Sequence, residues 1–160
     1  MLTPYMPQAE IAMMDMVFAL KRPARVLEFG AGGSTVRWSG LPFIERWVTV
    51  EHDPEWMLKT EAEAPHATIL YASELIAANY VNDIPQLCGA GPFDLIFVDG
   101  EHRVECIKAS PQWLAPDGVV VLHDASRIEY APAWDVYPNK AILTKGDGNR
   151  NGLMVMWGDE

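Results

Sequence analysis

The stretch Arg25-Val26-Leu27-Glu28-Phe29-Gly30-Ala31-Gly32-Gly33-Ser34-Thr35 decides how this chain is read. An apolar run enters Glu28-Phe29-Gly30, glycines follow at alternate positions, and a hydroxyl pair stands where a helix can open. This is a buried strand ending in a tight turn whose backbone can approach a ligand closely. A second apolar strand, Trp47-Val48-Thr49-Val50, ends in Glu51. An acid about twenty residues beyond a glycine turn suits the hydroxyls of a ribose. Together they imply a nucleoside-containing cofactor across the ends of adjacent parallel strands.

Outward from that stretch, the rest of the chain reads as one domain spanning residues 1–160. A domain of this length buries roughly two-thirds of its unfolded surface. Hydrophobic residues make up 49% and charged residues 21%, a globular composition rather than a disordered one. The formal net charge of -10, with basic residues scattered from Lys21 to Arg150, disfavours nucleic acid and anionic membrane as partners. The two cysteines, Cys88 and Cys106, have neither disulfide-framework nor metal spacing and read as small buried hydrophobes. Met1-Leu2-Thr3-Pro4-Tyr5 lacks the basic segment of a signal peptide, and no apolar run is long enough to span a bilayer. A cytoplasmic protein is expected.

Residues 7–20 read as a helix, with Ile11, Met14, Val17 and Phe18 on one face and Pro23 as its stop. Strands are expected at 25–29, 46–51, 67–71, 93–98 and 119–122, the last preceded by a turn at Ala115-Pro116-Asp117-Gly118. Between them, a short helix starts at Ser34, Asp53-Pro54-Glu55 opens a second, and 103–114 forms a third packed through Val104, Ile107 and Trp113. Residues 74–91 read as a broken helix closed by Gly89-Ala90-Gly91. Short, continuously apolar strands alternating with helices indicate a parallel sheet covered on both faces. The tail differs. After a short helix around Ile128–Trp134, segments 140–145 and 152–157 are two strands joined by a polar, glycine-containing loop, hence an antiparallel hairpin.

The chain resembles class I S-adenosylmethionine-dependent methyltransferases, on the acid-x-Gly-x-Gly motif at Glu28-Phe29-Gly30-Ala31-Gly32, Glu51, the fourth strand into Asp99, and Pro116-Asp117-Gly118-Val119-Val120-Val121. Asp99-Gly100-Glu101-His102 and His123-Asp124 also match a branch directed at small molecules or sugars. The resemblance implies an α/β, Rossmann-like, seven-stranded sheet of order 3-2-1-4-5-7-6 with strand 7 antiparallel. It further implies S-adenosylmethionine as cofactor, held by Glu28, Gly30, Gly32, Ser34, Glu51, His52, Ser73 and Asp99. Methyl would pass to a hydroxyl of a small molecule or sugar. A dinucleotide is the competing ligand, but its fingerprint wants glycines at 30, 32 and 35, and position 35 is Thr.

Several of these residues carry a second reading. Glu28 can serve the loop by accepting its N–H groups, Ser73 can cap a helix, and Trp56 is expected to pack against the sheet. Asp99 and Asp124 match the carboxylates that bind Mg²⁺ in catechol-type relatives, yet Ala125 stands where another oxygen ligand is usual. Asp124 can instead cap the segment after it. His102 and His123 are the candidate bases, since an imidazole titrates near neutrality, with Asp99 beside them. His102 is expected over the cofactor, while His123 can simply orient Asp124. Arg103 and Arg127 read as acid-binding or, more commonly, solvated. Only the N-terminal helix and residues 126–139 are available to roof a pocket. A homodimer using Tyr130, Trp134, Tyr137 and Trp157 would supply further cover. A methyltransferase fold retained as a non-catalytic partner protein is the alternative to an enzyme.

Overall fold

The computed structural model describes residues 1–73, 75, 79–83 and 91–159. The chain begins with helix α1 (Gln8–Lys21), which ends where Arg22 turns left-handed ahead of Pro23. Strand β1 (Arg25–Phe29) leads through the glycine loop into the short α2 (Gly33–Trp38), and β2 (Arg46–Glu51) follows. Helix α3 (Pro54–Glu61) starts as expected, with the Asp53 carboxylate accepting from the N–H groups of Glu55 and Trp56. Strands β3 (Ala67–Tyr71) and β4 (Phe93–Val98) stand where the apolar runs place them. Of the segment expected as a broken helix, a π-helical turn at Asn79–Asp83 is described; Cys88 and the closing Gly89 and Ala90 lie outside the described residues.

The second half holds two corrections. The expected helix over 103–114 is α4 (Arg103–Ala109) followed by a 3-10 turn, Ser110–Gln112, because Pro111 has no N–H to continue the α ladder. Strand β5 (Leu114–His123) begins before the expected turn at 115–118. Phe93 pairs with Leu114 and Leu95 with Val119, so Ala115–Gly118 bulge out of a ladder that Pro116 cannot serve. A 3-10 helix (Ile128–Ala133) then leads to the hairpin β6 (Asn139–Thr144) and β7 (Leu153–Trp157).

One sheet takes all seven strands in the order β3-β2-β1-β4-β5-β7-β6. Strands β1 to β5 pair in parallel, and β7 runs antiparallel to both neighbours. The order reverses at β1, between β2 and β4, and such a reversal opens a crevice at the carboxyl edge of an α/β sheet.

Side-chain alternation along the strands splits the core in two. Leu27, Phe29, Val48, Val50, Ile96 and Val98 face the layer containing Ile107 and Trp113. Val26, Trp47, Leu95 and Phe97 face α1 and α2, through Met14, Phe18 and Trp38. Of the aromatic residues expected at a dimer surface, Tyr137 is buried and Tyr130 and Trp134 pack on the first layer. Trp157 remains 36% exposed. Among the described residues, no helix is long and apolar enough to cross a membrane.

Phe18 is the keystone of the second layer, stacked on Trp38 at 5.4 Å and on Trp47 at 5.8 Å between ring centroids. Phe18→Ala is expected to lower unfolding stability by about 3–5 kcal/mol, seen as an earlier denaturant midpoint with retained far-ultraviolet dichroism.

Candidate active site

Gly30 shows why the loop after β1 has to be glycine. Its φ is 97°, and a Cβ there would lie 2.7 Å from the backbone of Gly100, in the loop after β4. The two strand-end loops are thus pressed together by backbone alone, with Asp99 N–H donating to the Phe29 carbonyl at 2.9 Å. Between them and the end of β2 lies a cleft of about 360 Å³. Gly30, Gly32, Ser34, Glu51, His52 and Asp99 line it.

Glu28 does not line this cleft; it lies beneath the loop, fully buried. Ser34 Oγ donates to its Oε1 at 2.5 Å, while Thr35 Oγ1, Thr49 Oγ1 and Trp47 Nε1 donate to Oε2 at 2.6, 2.7 and 2.9 Å. Thr35 Oγ1 also accepts from the Gly32 N–H at 3.0 Å. The hydroxyl standing where a dinucleotide fingerprint would have its third glycine therefore ties the loop to a buried acid. Burial pushes the Glu28 carboxyl up to about 7, against the downward pull of its four donors.

Glu51 closes the other side. Its Oε2 accepts from Ala31 N–H at 2.7 Å, and its Oε1 from the N–H groups of His52 and Asp53, both at 2.8 Å. His52 Nδ1 stands 3.0 Å from the same Oε1. Each carboxylate oxygen accepts about two hydrogen bonds, so Oε2 keeps acceptor capacity toward the cleft. Trp56 is not packed on the sheet as expected. Its indole donates to the Ala31 carbonyl at 2.6 Å and covers the glycine loop, 39% exposed. Ser73 accepts from Leu75 N–H at 3.3 Å and stays outside the cleft.

A wall the sequence reading missed comes from residues 3–6. A Cβ on Gly33 would fall 1.9 Å from the Thr3 carbonyl carbon, so this segment lies directly on the loop. It walls the cleft, and residues 126–139 do not reach it.

Beyond Asp99 the chemistry becomes ionic. His123 is buried, with Nδ1 2.7 Å from Asp99 Oδ1 and Nε2 3.0 Å from Glu10 Oε2. Two carboxylates accept from the two ring nitrogens only if both carry protons. Burial alone lowers this histidine's pKa, but the Asp99 hydrogen bond and the charges of Asp99, Asp124 and Glu10 together raise it above the ordinary value. Glu10, an unremarked helix residue in the sequence, also accepts from Thr144 Oγ1 at 3.1 Å and Gly152 N–H at 2.5 Å. His102, left-handed at φ 50°, does not line the glycine-loop cleft, over which it is expected. It lines an adjoining polar cavity of about 430 Å³ with Arg127, Glu129 and Tyr130, and Gly100, Glu101 and Arg103 border both spaces.

The carboxylates expected to hold Mg²⁺ do not fit that role. Asp124 is left-handed at φ 55° and accepts from Asn151 N–H at 2.5 Å, and the Arg103 guanidinium lies within 3.4 Å of both it and Asp99. Among the described residues, no group of three His, Cys, Asp or Glu side chains could hold a metal ion.

Because Glu28 ionises at higher pH in the fold than the ordinary 4.5, the unfolded chain loses this proton first as pH rises. Stability from this group is full below about 4.5, falls between 4.5 and 7, and is flat above. The loss is roughly 3 kcal/mol at 1.36 kcal/mol per unit. Urea unfolding across this range should show Glu28→Gln with a shallower decline than the parent; identical slopes would contradict the assignment.

Known proteins bear on this arrangement. The family described as a methyltransferase domain matches residues 27–125, more than half of the chain. A catechol O-methyltransferase of Niastella koreensis is 31% identical over 94 residues, covering 55% of this chain and 42% of that protein. The chain thus spans less than half the length of that curated relative. Among solved structures, a methyltransferase-like protein from Silicibacter pomeroyi superposes with a TM-score of 0.75 at 21% identity, over 99% of this chain and 90% of that one. An O-methyltransferase from Bacillus cereus in complex with SAH gives 0.70 at 15% identity, over 93% and 80%. With the family match covering more than half of its residues, the chain belongs to the methyltransferase domain family.

Proposed function

We propose that the chain is an S-adenosylmethionine-dependent methyltransferase acting on a hydroxyl of a small molecule or sugar. The observation that carries this reading is Glu51. Its carboxylate is held by three backbone N–H groups at the mouth of a glycine-loop cleft, with acceptor capacity left on Oε2. A fixed acceptor of this kind fits the hydroxyl donors of a ribose. The cleft is an open cavity, unlike the self-filled groove expected of a non-catalytic scaffold.

When bound, S-adenosylmethionine supplies a methyl group on a sulfonium leaving group. The protein's work is then alignment and proton removal. Glu51 binds the ribose, Gly30 and Gly32 admit the nucleoside close to backbone, and Glu28 with Ser34 and Thr35 keeps the loop in shape from below. For an acceptor that reaches from the cleft past Gly100 and Arg103 into the adjoining cavity, His102 takes the hydroxyl proton on an imidazole nitrogen. His123, with both ring nitrogens facing carboxylates, positions Asp99 and does not serve as base.

Isothermal titration with S-adenosylhomocysteine tests the reading. Saturable binding is expected, weakened in Glu51→Ala by about 1.5–3 kcal/mol, the scale of hydrogen bonds to a charged group. Tight binding of NADH with no heat from the sulfur nucleosides would overturn it.

A further inference from the structure

Arg103 sits between Asp99 and Asp124, the two carboxylates that the resemblance to catechol-type relatives offers to a metal ion. Its side chain is only 11% exposed and lies 5.3 Å above the Tyr130 ring. Nε donates to the Gly100 carbonyl at 2.9 Å, Nη1 to the His123 carbonyl at 2.8 Å, and Nη2 to the Asp99 carbonyl at 3.1 Å. The remaining contacts run to Asp124 Oδ2 at 3.4 Å and Asp99 Oδ1 at 3.3 Å. A guanidinium has five N–H donors, and each has a protein oxygen to face.

We propose that the Arg103 guanidinium takes the place of a divalent cation between Asp99 and Asp124, so that this chain works without metal and its acceptor is not bound as a metal chelate. The inference rests on the methyltransferase reading above. Three of the four carboxylate oxygens a cation would need from this pair are already engaged. Asp99 Oδ1 is shared by His123 Nδ1 and Arg103, and Asp124 Oδ1 accepts from Asn151 N–H. Asp124 Oδ2 faces Arg103, with Arg127 Nη1 at 3.7 Å. The next residue, Ala125, adds no oxygen. A hard cation requires six or more oxygen ligands and would meet like charge at close range.

The consequence reaches the acceptor. A catechol presents two adjacent oxygens that a divalent cation can grip and acidify. Here the fixed cation is monovalent and its donors are engaged, so the favoured acceptor offers a single reactive hydroxyl. In the transfer, the acceptor oxygen bonds to the methyl carbon. The carbon–sulfur bond breaks with its electron pair going to sulfur, and the hydroxyl proton passes to a base.

Electron paramagnetic resonance of Mn²⁺ titrated into the protein saturated with S-adenosylhomocysteine tests the assignment. The parent chain should leave the free-ion signal undiminished. Arg103→Met, which bares the two carboxylates, should deplete it, and Arg103→Lys, which restores a cation and serves as the folded control, should not. Mn²⁺ binding by the parent that Asp124→Asn abolishes would overturn the inference, as would a folded Arg103→Met that binds no more Mn²⁺ than the parent. Nucleoside binding is read separately by calorimetry before metal is added. Its failure would strike the methyltransferase reading, while Mn²⁺ capture by the parent with nucleoside binding intact would strike only this inference.

Discussion

Five carboxylates crowd the carboxyl edge of the sheet, and the site takes its shape from the need to satisfy each of them. A buried charge without partners is expensive enough to neutralise or unfold its surroundings. Glu28 is met by hydroxyls and an indole, and Glu51 by backbone N–H groups. Asp99 is met by histidine and arginine, Asp124 by a backbone N–H and arginine, and Glu10 by histidine, threonine and a backbone N–H. For every acid the partners come from at least two elements or loops. Satisfying the acids therefore ties the glycine loop to β2, α1 to β5 and the terminal hairpin, and α4 to the ends of β4 and β5.

This arrangement divides the acids by task. Glu28 and Glu10 are sealed and fix the backbone, whereas Glu51 and Asp99 border open space. Glu51 keeps its place because its N–H donors belong to neighbouring loops, Ala31 on one side and His52 and Asp53 on the other. A group held by fixed backbone donors needs little reorganisation to receive a ligand, which is the physical content of preorganisation. The same logic makes His123 a tether: it joins Asp99 to Glu10, and through Glu10 to the hairpin.

The sheet was legible because its signals are local. Apolar runs such as Phe93–Val98, the Gly30 turn, the Asp53 cap and the polar hairpin loop each declare themselves within a few residues. The position of Glu51 was legible for the same reason, since it ends a strand at a telling distance from the glycines. Glu10 and Arg103 were not. Glu10 reads as one acid on a helix, yet its partners are Thr144 and Gly152, 134 and 142 positions away in the chain. Arg103 looks like a solvated residue at a helix start until Asp124 and the His123 carbonyl are folded against it. Trp56 and the segment at 3–6 likewise became walls of the cleft only through contacts that periodicity cannot carry. The Ala115–Gly118 bulge was mistaken for a turn because proline and glycine mark both.

The central claim is that a carboxylate fixed at the end of β2 receives the ribose of a nucleoside cofactor over the glycine loop. A crystal structure of the chain with S-adenosylhomocysteine tests it most directly. The account predicts ribose hydroxyls within hydrogen-bonding distance of Glu51, with the glycine loop at Gly30 and Gly32 against the nucleoside. A ligand bound elsewhere, or one whose ribose leaves Glu51 untouched, would contradict it.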